Sequence, residues 1–141
     1  YLTLISKQFS LKLFTSDPNA TIGFCQNMGA ADYLTETPYI FHDSKINLNI
    51  TLRSIRSGIP LRCMEIMASG GLTNFQSDLL RHFTPDKDFV YFENKTDLLN
   101  KINYYLSNET EREKIAKSGY EKVLKHYNYK TIFHQIFATT D

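Results

Sequence analysis

Between Ile46 and Leu72 the hydrophobic pattern changes character twice, and the two changes outline one unit. Ile46, Leu48, Ile50 and Leu52 alternate with Asn47, Asn49 and Thr51. Period two is the signature of a strand with one apolar and one polar face. Arg53 to Pro60 carries two arginines, a Ser-Gly pair and a proline, and reads as a loop. Leu61 to Ser69 holds no helix breaker and is closed by Gly70 and Gly71. A helix is expected there, with Pro60 at or just before its first turn. The pattern predicts strand, basic loop, helix.

On the N-terminal side of this unit, Leu2, Ile5 and Phe9 fall at helical spacing and predict a short helix over 1–9. Leu11 to Thr15 reads as a strand, ended by the turn Ser16-Asp17-Pro18-Asn19. Residues 21–28 show no clean period and read as loop, and Gly29 to Leu34 as a short strand. Thr37-Pro38 has the form of N-cap and N1 for a helix running to Lys45.

On the C-terminal side, Gly71 to Phe75 is apolar enough for a strand, and Asp78 to Phe83 forms a helical turn. The β-branched and aromatic run Phe89 to Phe92 predicts another strand. Thr96 is the expected cap of a helix whose buried stripe is Leu98, Leu99, Ile102, Tyr105 and Leu106. Asn108 with Glu111 is a capping-box pattern. The helix it opens has Ala116, Tyr120, Val123 and Tyr127 as its apolar side, with Glu113–Lys117 and Glu121–Lys125 as supporting pairs. A last helix is expected from about Tyr129 to Ala138. Strands separated by helical segments, without hairpin signals, imply βαβ crossovers. The fold class expected is α/β, a Rossmann-like doubly wound parallel sheet over one domain, residues 1–141.

Composition narrows the partners more than the fold. With 141 residues, 42% hydrophobic and 22% charged, the chain can form a proper core without staples. A net charge of +1 excludes a general attraction to nucleic acid, so any basic site is local. No signal peptide and no integral membrane segment is visible. Cys25 and Cys63 lack metal-ligand spacing, and Cys63 reads as a small buried hydrophobe. A reducing, cytoplasmic location follows. The chain begins at Tyr1 and reads as a piece of a longer protein. It lacks Gly-x-Gly-x-x-Gly, a P-loop, a Gly-x-Ser-x-Gly elbow and paired metal ligands, so no resident cofactor or metal is expected. His42 reads as a structural or surface residue.

The chemistry worth pursuing lies in the central unit. In open α/β sheets ligands bind beyond the carboxyl ends of strands, against helix N-termini whose free N–H groups suit phosphate. Arg53, Arg56 and Arg62 cluster at that end, and arginine can clamp a diphosphate bidentately. Glu65, three residues after Arg62, either accepts hydrogen bonds from ribose hydroxyls or pairs with Arg62 on a solvated face. Asn49 either touches a ligand or satisfies buried backbone groups.

The stretches SKINLN (44–49), GIPLRCMEIMASGGL (58–72) and EREKIAKSGYEKVLKHYNY (111–129) resemble the C-terminal domain of group 1 glycosyltransferases. The likeness is to the branch of spore-maturation and spore-coat glycosyltransferase-like proteins. It implies the C-terminal half of a two-domain GT-B enzyme that binds a nucleotide-diphosphate sugar and faces an N-terminal domain of the same chain. Lys45 of the Ser-Lys element is then placed to reach the phosphates, where residue pattern alone reads it equally as a solvent-facing lysine. Gly70 and Gly71 match the family's small-residue turn. Ser57 stands where many relatives carry a second acid that approaches the sugar, so a binding module with a decayed site is the alternative. The catalytic residues are not identifiable, and the isolated chain is expected to lack turnover. The apolar positions Ile132, Phe133, Ile136 and Phe137 raise the further expectation of self-association through the last helix.

Overall fold

The computed structural model describes residues 1–50, 59–69 and 81–138. It contains α-helix and parallel strand, in two units, Tyr1–Pro38 and Tyr39–Asp141.

In the first unit, α1 (Leu2–Ile5) leads to β1 (Lys12–Phe14), which pairs in parallel with β2 (Gln26–Gly29). The helix predicted over 1–9 is thus shorter than its apolar spacing suggests, and β1 lies within the expected strand. β2 was not legible, because Gln26, Asn27 and Gly29 carry no strand pattern. What makes it a strand is the loop before it. The Asn27 side-chain amide donates to the carbonyls of Asp17, Pro18 and Ala20 at 3.2, 3.3 and 3.2 Å, while its oxygen accepts from Gly29 N–H at 2.9 Å. A single asparagine therefore gathers the crossover, which contains no helix. The register runs Lys12 to Gln26 and Leu13 to Asn27, then slips so that Phe14 faces Gly29. Gly29 has φ of 82°, which glycine adopts without strain. The strand expected over 29–34 is instead a turn, tied by Asp32, whose carboxylate accepts from Leu34 and Thr35 N–H and from the Thr35 hydroxyl. These bonds hold that carboxyl below its usual range.

The remaining elements are α2 (Thr37–Asp43), α3 (Leu61–Ala68), α4 (Lys95–Ser107), α5 (Glu109–His126) and α6 (Tyr129–Ala138). Among the described residues the parallel pair β1–β2 is the whole sheet. Phe89 to Phe92 forms no strand; Phe89 makes one isolated bridge to Pro85. Residues 46–50 lie in neither helix nor strand, and their burial inverts the expectation: Asn47 and Asn49 are buried, while Ile50 is exposed. The expected strand at 71–75 lies outside the described residues.

The second unit's core is helical. Cys63 and Met67 of α3 pack with Phe83, Phe89 and Val123 of α5, flanked by Ile59, Tyr91 and Tyr127. A second cluster joins Tyr105 of α4 to Ile115 of α5, with Ile46 and Val90 against it. α4 is capped by Asn94, whose side chain accepts from Asp97 N–H at 3.0 Å, rather than by Thr96. Its buried stripe is Leu98, Ile102 and Tyr105, with Leu99 and Leu106 half-buried. Asn108 sits at the start of α5 but spends its amide on the Tyr104 carbonyl, so it closes α4 instead of capping α5. The buried face of α5 is Arg112, Ile115, Gly119 and Val123. It shares Val123 with the apolar side expected, and Tyr127 packs against the same core. Ile115 and Gly119 are buried where Ala116 and Tyr120 were expected, and Tyr120 is exposed. The i,i+4 contact on its solvent side is Lys117–Glu121, at 3.9 Å.

Candidate functional site

The second unit places three of the predicted site residues around the first turn of α3. Pro60 precedes the helix with φ of −58° and accepts from Cys63 N–H at 2.9 Å. A proline there forfeits no helical donor. Cys63, Ile66 and Met67 form the buried face, which leaves Arg62 exposed and Glu65 half-buried on the other side. Partial burial pushes the Glu65 carboxyl above its ordinary range, because removing solvent disfavours the charged form. A carboxylate raised in this way gains from any ligand that donates hydrogen bonds to it.

Asn49 is what brings the preceding segment to this helix. It is 3% exposed, and its amide donates to Cys63 Sγ at 3.0 Å. Two residues earlier, Asn47 donates to the Phe41 carbonyl at 2.8 Å and fastens the other end of the segment to α2. The Ser44 hydroxyl donates to the Ile40 carbonyl at 2.6 Å, closing α2. Asn47 and Asn49 therefore point inward because each has a hydrogen-bonding duty there, as buried amides require. Asn49 is accordingly a side chain that ties segment to helix. Lys45 is exposed at the opposite end of the segment from Asn49. Arg53, Arg56, Ser57, Gly70 and Gly71 lie outside the described residues.

Behind α3 stands a cluster that pattern reading missed. Asp88 is 3% exposed, and its carboxylate accepts from Thr84 N–H at 2.9 Å, the Ser118 hydroxyl at 2.7 Å and the Lys122 ammonium at 2.7 Å. Burial alone would raise this carboxyl; the hydrogen bonds from Lys122, Thr84 and Ser118, with the ammonium charge, bring it below the usual range. Lys122 also lies over the Phe83 ring, 5.2 Å from its centre. Gly119, between Ser118 and Lys122 on the same helix, lets the backbones meet. A Cβ there would fall on the Asp88 carbonyl oxygen, inside van der Waals contact, and 3.5 Å from Met67 Cγ of α3. The cluster fixes α5 against the loop at 84–89 and, through Met67, against the helix that carries Glu65. The available signal was Gly119 itself, since a glycine inside a helix costs about 1 kcal/mol relative to alanine and often marks a close approach.

The described residues combine helices with a small parallel sheet. A family model described as glycosyl transferase-like matches residues 16–138, most of the sequence. The chain belongs to this glycosyltransferase-like family. No curated protein and no solved structure matches it. Among the described residues no helix is long and apolar enough to cross a membrane.

Proposed function

We propose that the chain is the donor-binding domain of a glycosyltransferase, the C-terminal Rossmann-like half of a GT-B enzyme. Its donor is a nucleotide-diphosphate sugar, and its place is in the spore-maturation and spore-coat-like branch that the motifs at 44–49, 58–72 and 111–129 resemble. The reading rests on one observation: Asn49 ties the 44–50 segment to the first turn of α3, where Arg62 and a half-buried Glu65 share one side of the helix. The N–H groups at that turn, with Arg53 and Arg56 close by in sequence, suit a diphosphate. In the proposed chemistry they take up the charge that develops as the diphosphate leaves, a role that needs no metal. Glu65 orients the nucleotide through its ribose hydroxyls. The acceptor and the remaining groups belong to an N-terminal domain in the cytoplasm, and the chain alone is expected to bind donor without turnover.

Calorimetric titration with a panel of uridine, guanosine, adenosine and thymidine diphosphates tests this. Binding of at least one, with a dissociation constant below the millimolar range, is expected. Failure of every nucleotide at millimolar concentration would reject donor binding. Such a failure would favour the second reading, a binding module with a decayed site, which Ser57 at the position of the family's second acid supports.

A further inference from the structure

The seat on which α3 rests is framed by polar ties. Cys63 and Met67, buried on that helix, share their core cluster with Phe83, Phe89 and Val123. Each of these three stands next in the chain to a residue bound at Asp88: Phe83 precedes Thr84, Phe89 follows Asp88 itself, and Val123 follows Lys122. The carboxylate that gathers Thr84, Ser118 and Lys122 therefore fixes, one residue along the chain, the apolar groups beneath α3. Lys122 lies over the Phe83 ring as well. Gly119, between Ser118 and Lys122, brings α5 so near that a Cβ would stand 3.5 Å from Met67 Cγ.

The two kinds of contact do different things. Apolar side chains of suitable volume can pack in more than one way, and a core held by them alone loses uniqueness before it loses stability. Hydrogen bonds weaken steeply when misaligned. A buried polar cluster with its partners satisfied selects one arrangement, and Asp88, 3% exposed with three donors on its carboxylate, is such a cluster. With eight residues α3 is a short element that turns as one piece. Met67 and Glu65 are two positions apart on it, so a roll that shifts Met67 in its seat turns Glu65 by the same angle. The roll changes how deeply the Glu65 carboxylate is buried and where it aims. It also moves the Cys63 sulfur to which Asn49 donates.

From this arrangement we propose that Asp88 is a positioning residue for the Glu65 site, setting the roll of α3 through Phe83, Phe89 and Val123. The inference rests on the donor reading and deepens it: ribose recognition depends on a carboxylate behind the helix that does not itself meet the nucleotide.

Calorimetric titration of the parent and of Asp88→Asn tests it, with uridine, guanosine and adenosine diphosphates each beside its 2′-deoxy form. For a nucleotide that the parent binds, Asp88→Asn should lower the affinity of the ribose form about two- to thirty-fold. The deoxy form should change by less than about two-fold, since it makes less use of Glu65. In a Glu65→Ala background the Asp88→Asn loss should likewise shrink below about two-fold, because no carboxylate is left to aim. Ser118→Ala removes one of the three bonds and keeps the ion pair; it should act in the same sense by a smaller factor, and it carries the test if Asp88→Asn does not fold. A merely structural Asp88 would change the folded fraction and leave the ratio of ribose to deoxyribose affinity where it is. Equal losses for both forms, an undiminished loss in the Glu65→Ala background, or no loss in the folded variant would overturn the proposal and leave the donor reading standing. Absence of binding by the parent to every one of these nucleotides would reject the donor reading and this inference with it.

Discussion

Replacing Asp88 with asparagine keeps the shape of the buried side chain and removes its charge, which makes it a clean probe of how α5 is fixed behind the site. The carboxylate accepts three hydrogen bonds, one of them from an ammonium at 2.7 Å. An amide of the same size presents one acceptor oxygen and turns an NH2 group towards other donors. Breaking a buried ion pair from one side costs about 3–5 kcal/mol when the stranded charge stays buried. Here the Lys122 side chain is 31% exposed, so its ammonium can recover water, and the estimate falls to about 2–3 kcal/mol. Urea denaturation at pH 7 reads this directly. Because the folded-state pKa of Asp88 lies below the ordinary 3.8, its contribution is complete above that value. It disappears as the pH falls through the lower, folded-state value. The gap between parent and Asp88→Asn should therefore be flat above about pH 5 and close on further acidification. In a cycle with Lys122→Met, the two substitutions should couple by about 1–2 kcal/mol. A gap under about 0.5 kcal/mol at pH 7, or one that persists unchanged in acid, would refute the assignment of Asp88 as the fixing point.

The other predictions concern backbone approach and ligand. Gly119→Ala, which would add about 1 kcal/mol of stability in a solvated helix, should instead destabilise by about 1–3 kcal/mol, since its Cβ meets the Asp88 carbonyl; a gain in urea midpoint would contradict the close contact. Glu65→Ala should weaken nucleoside diphosphate binding about ten- to a hundred-fold, and Glu65→Gln by less, whereas a deoxyribose nucleotide should respond far less to either. Equal losses for ribose and deoxyribose forms would remove Glu65 from the sugar. Burial raises the Glu65 carboxyl, and ribose hydroxyls favour its ionised form. Affinity should therefore fall as the pH drops through that raised value, and the Glu65→Gln titration should be flatter.

Helices were legible and strands largely were not, for a physical reason. The limits of α3, α5 and α6 follow from local signals: Pro60 before α3, Asn108 at the junction of α4 and α5, and the apolar spacing of 129–137. Strand pairing depends on a partner elsewhere in the chain. β2 owes its place to Asn27 and the carbonyls it gathers, which no periodicity records. Conversely, the alternation at 46–50 is real but its inward face is the polar one, because Asn47 and Asn49 have acceptors at Phe41 and Cys63. In the site, Arg62 and Glu65 could be placed on one helix from spacing alone. The Asp88 cluster could not, as its members are separated by 30 and 34 positions and meet only through packing. On α5, Val123 and Tyr127 follow the apolar spacing, but Tyr120 does not face the core. The narrow Gly119 was needed there instead.

The bond from Asn49 to Cys63 also gives the molecule a clock. Sulfur is a weak acceptor, so this bond is lighter than an amide-to-carbonyl tie. The thiol under it is fully buried, so a maleimide or aromatic disulfide can reach it only when the segment lifts away or the unit unfolds. Cys25, in the other unit and partly accessible, reacts without that step and serves as the internal standard. The ratio of the two labelling rates then measures how often the segment leaves the helix or the unit opens. A ligand that settles on the first turn of α3 and grips both partners would slow Cys63 while leaving Cys25 unchanged. Occupancy would thus be written into the chain as elapsed time at a single sulfur.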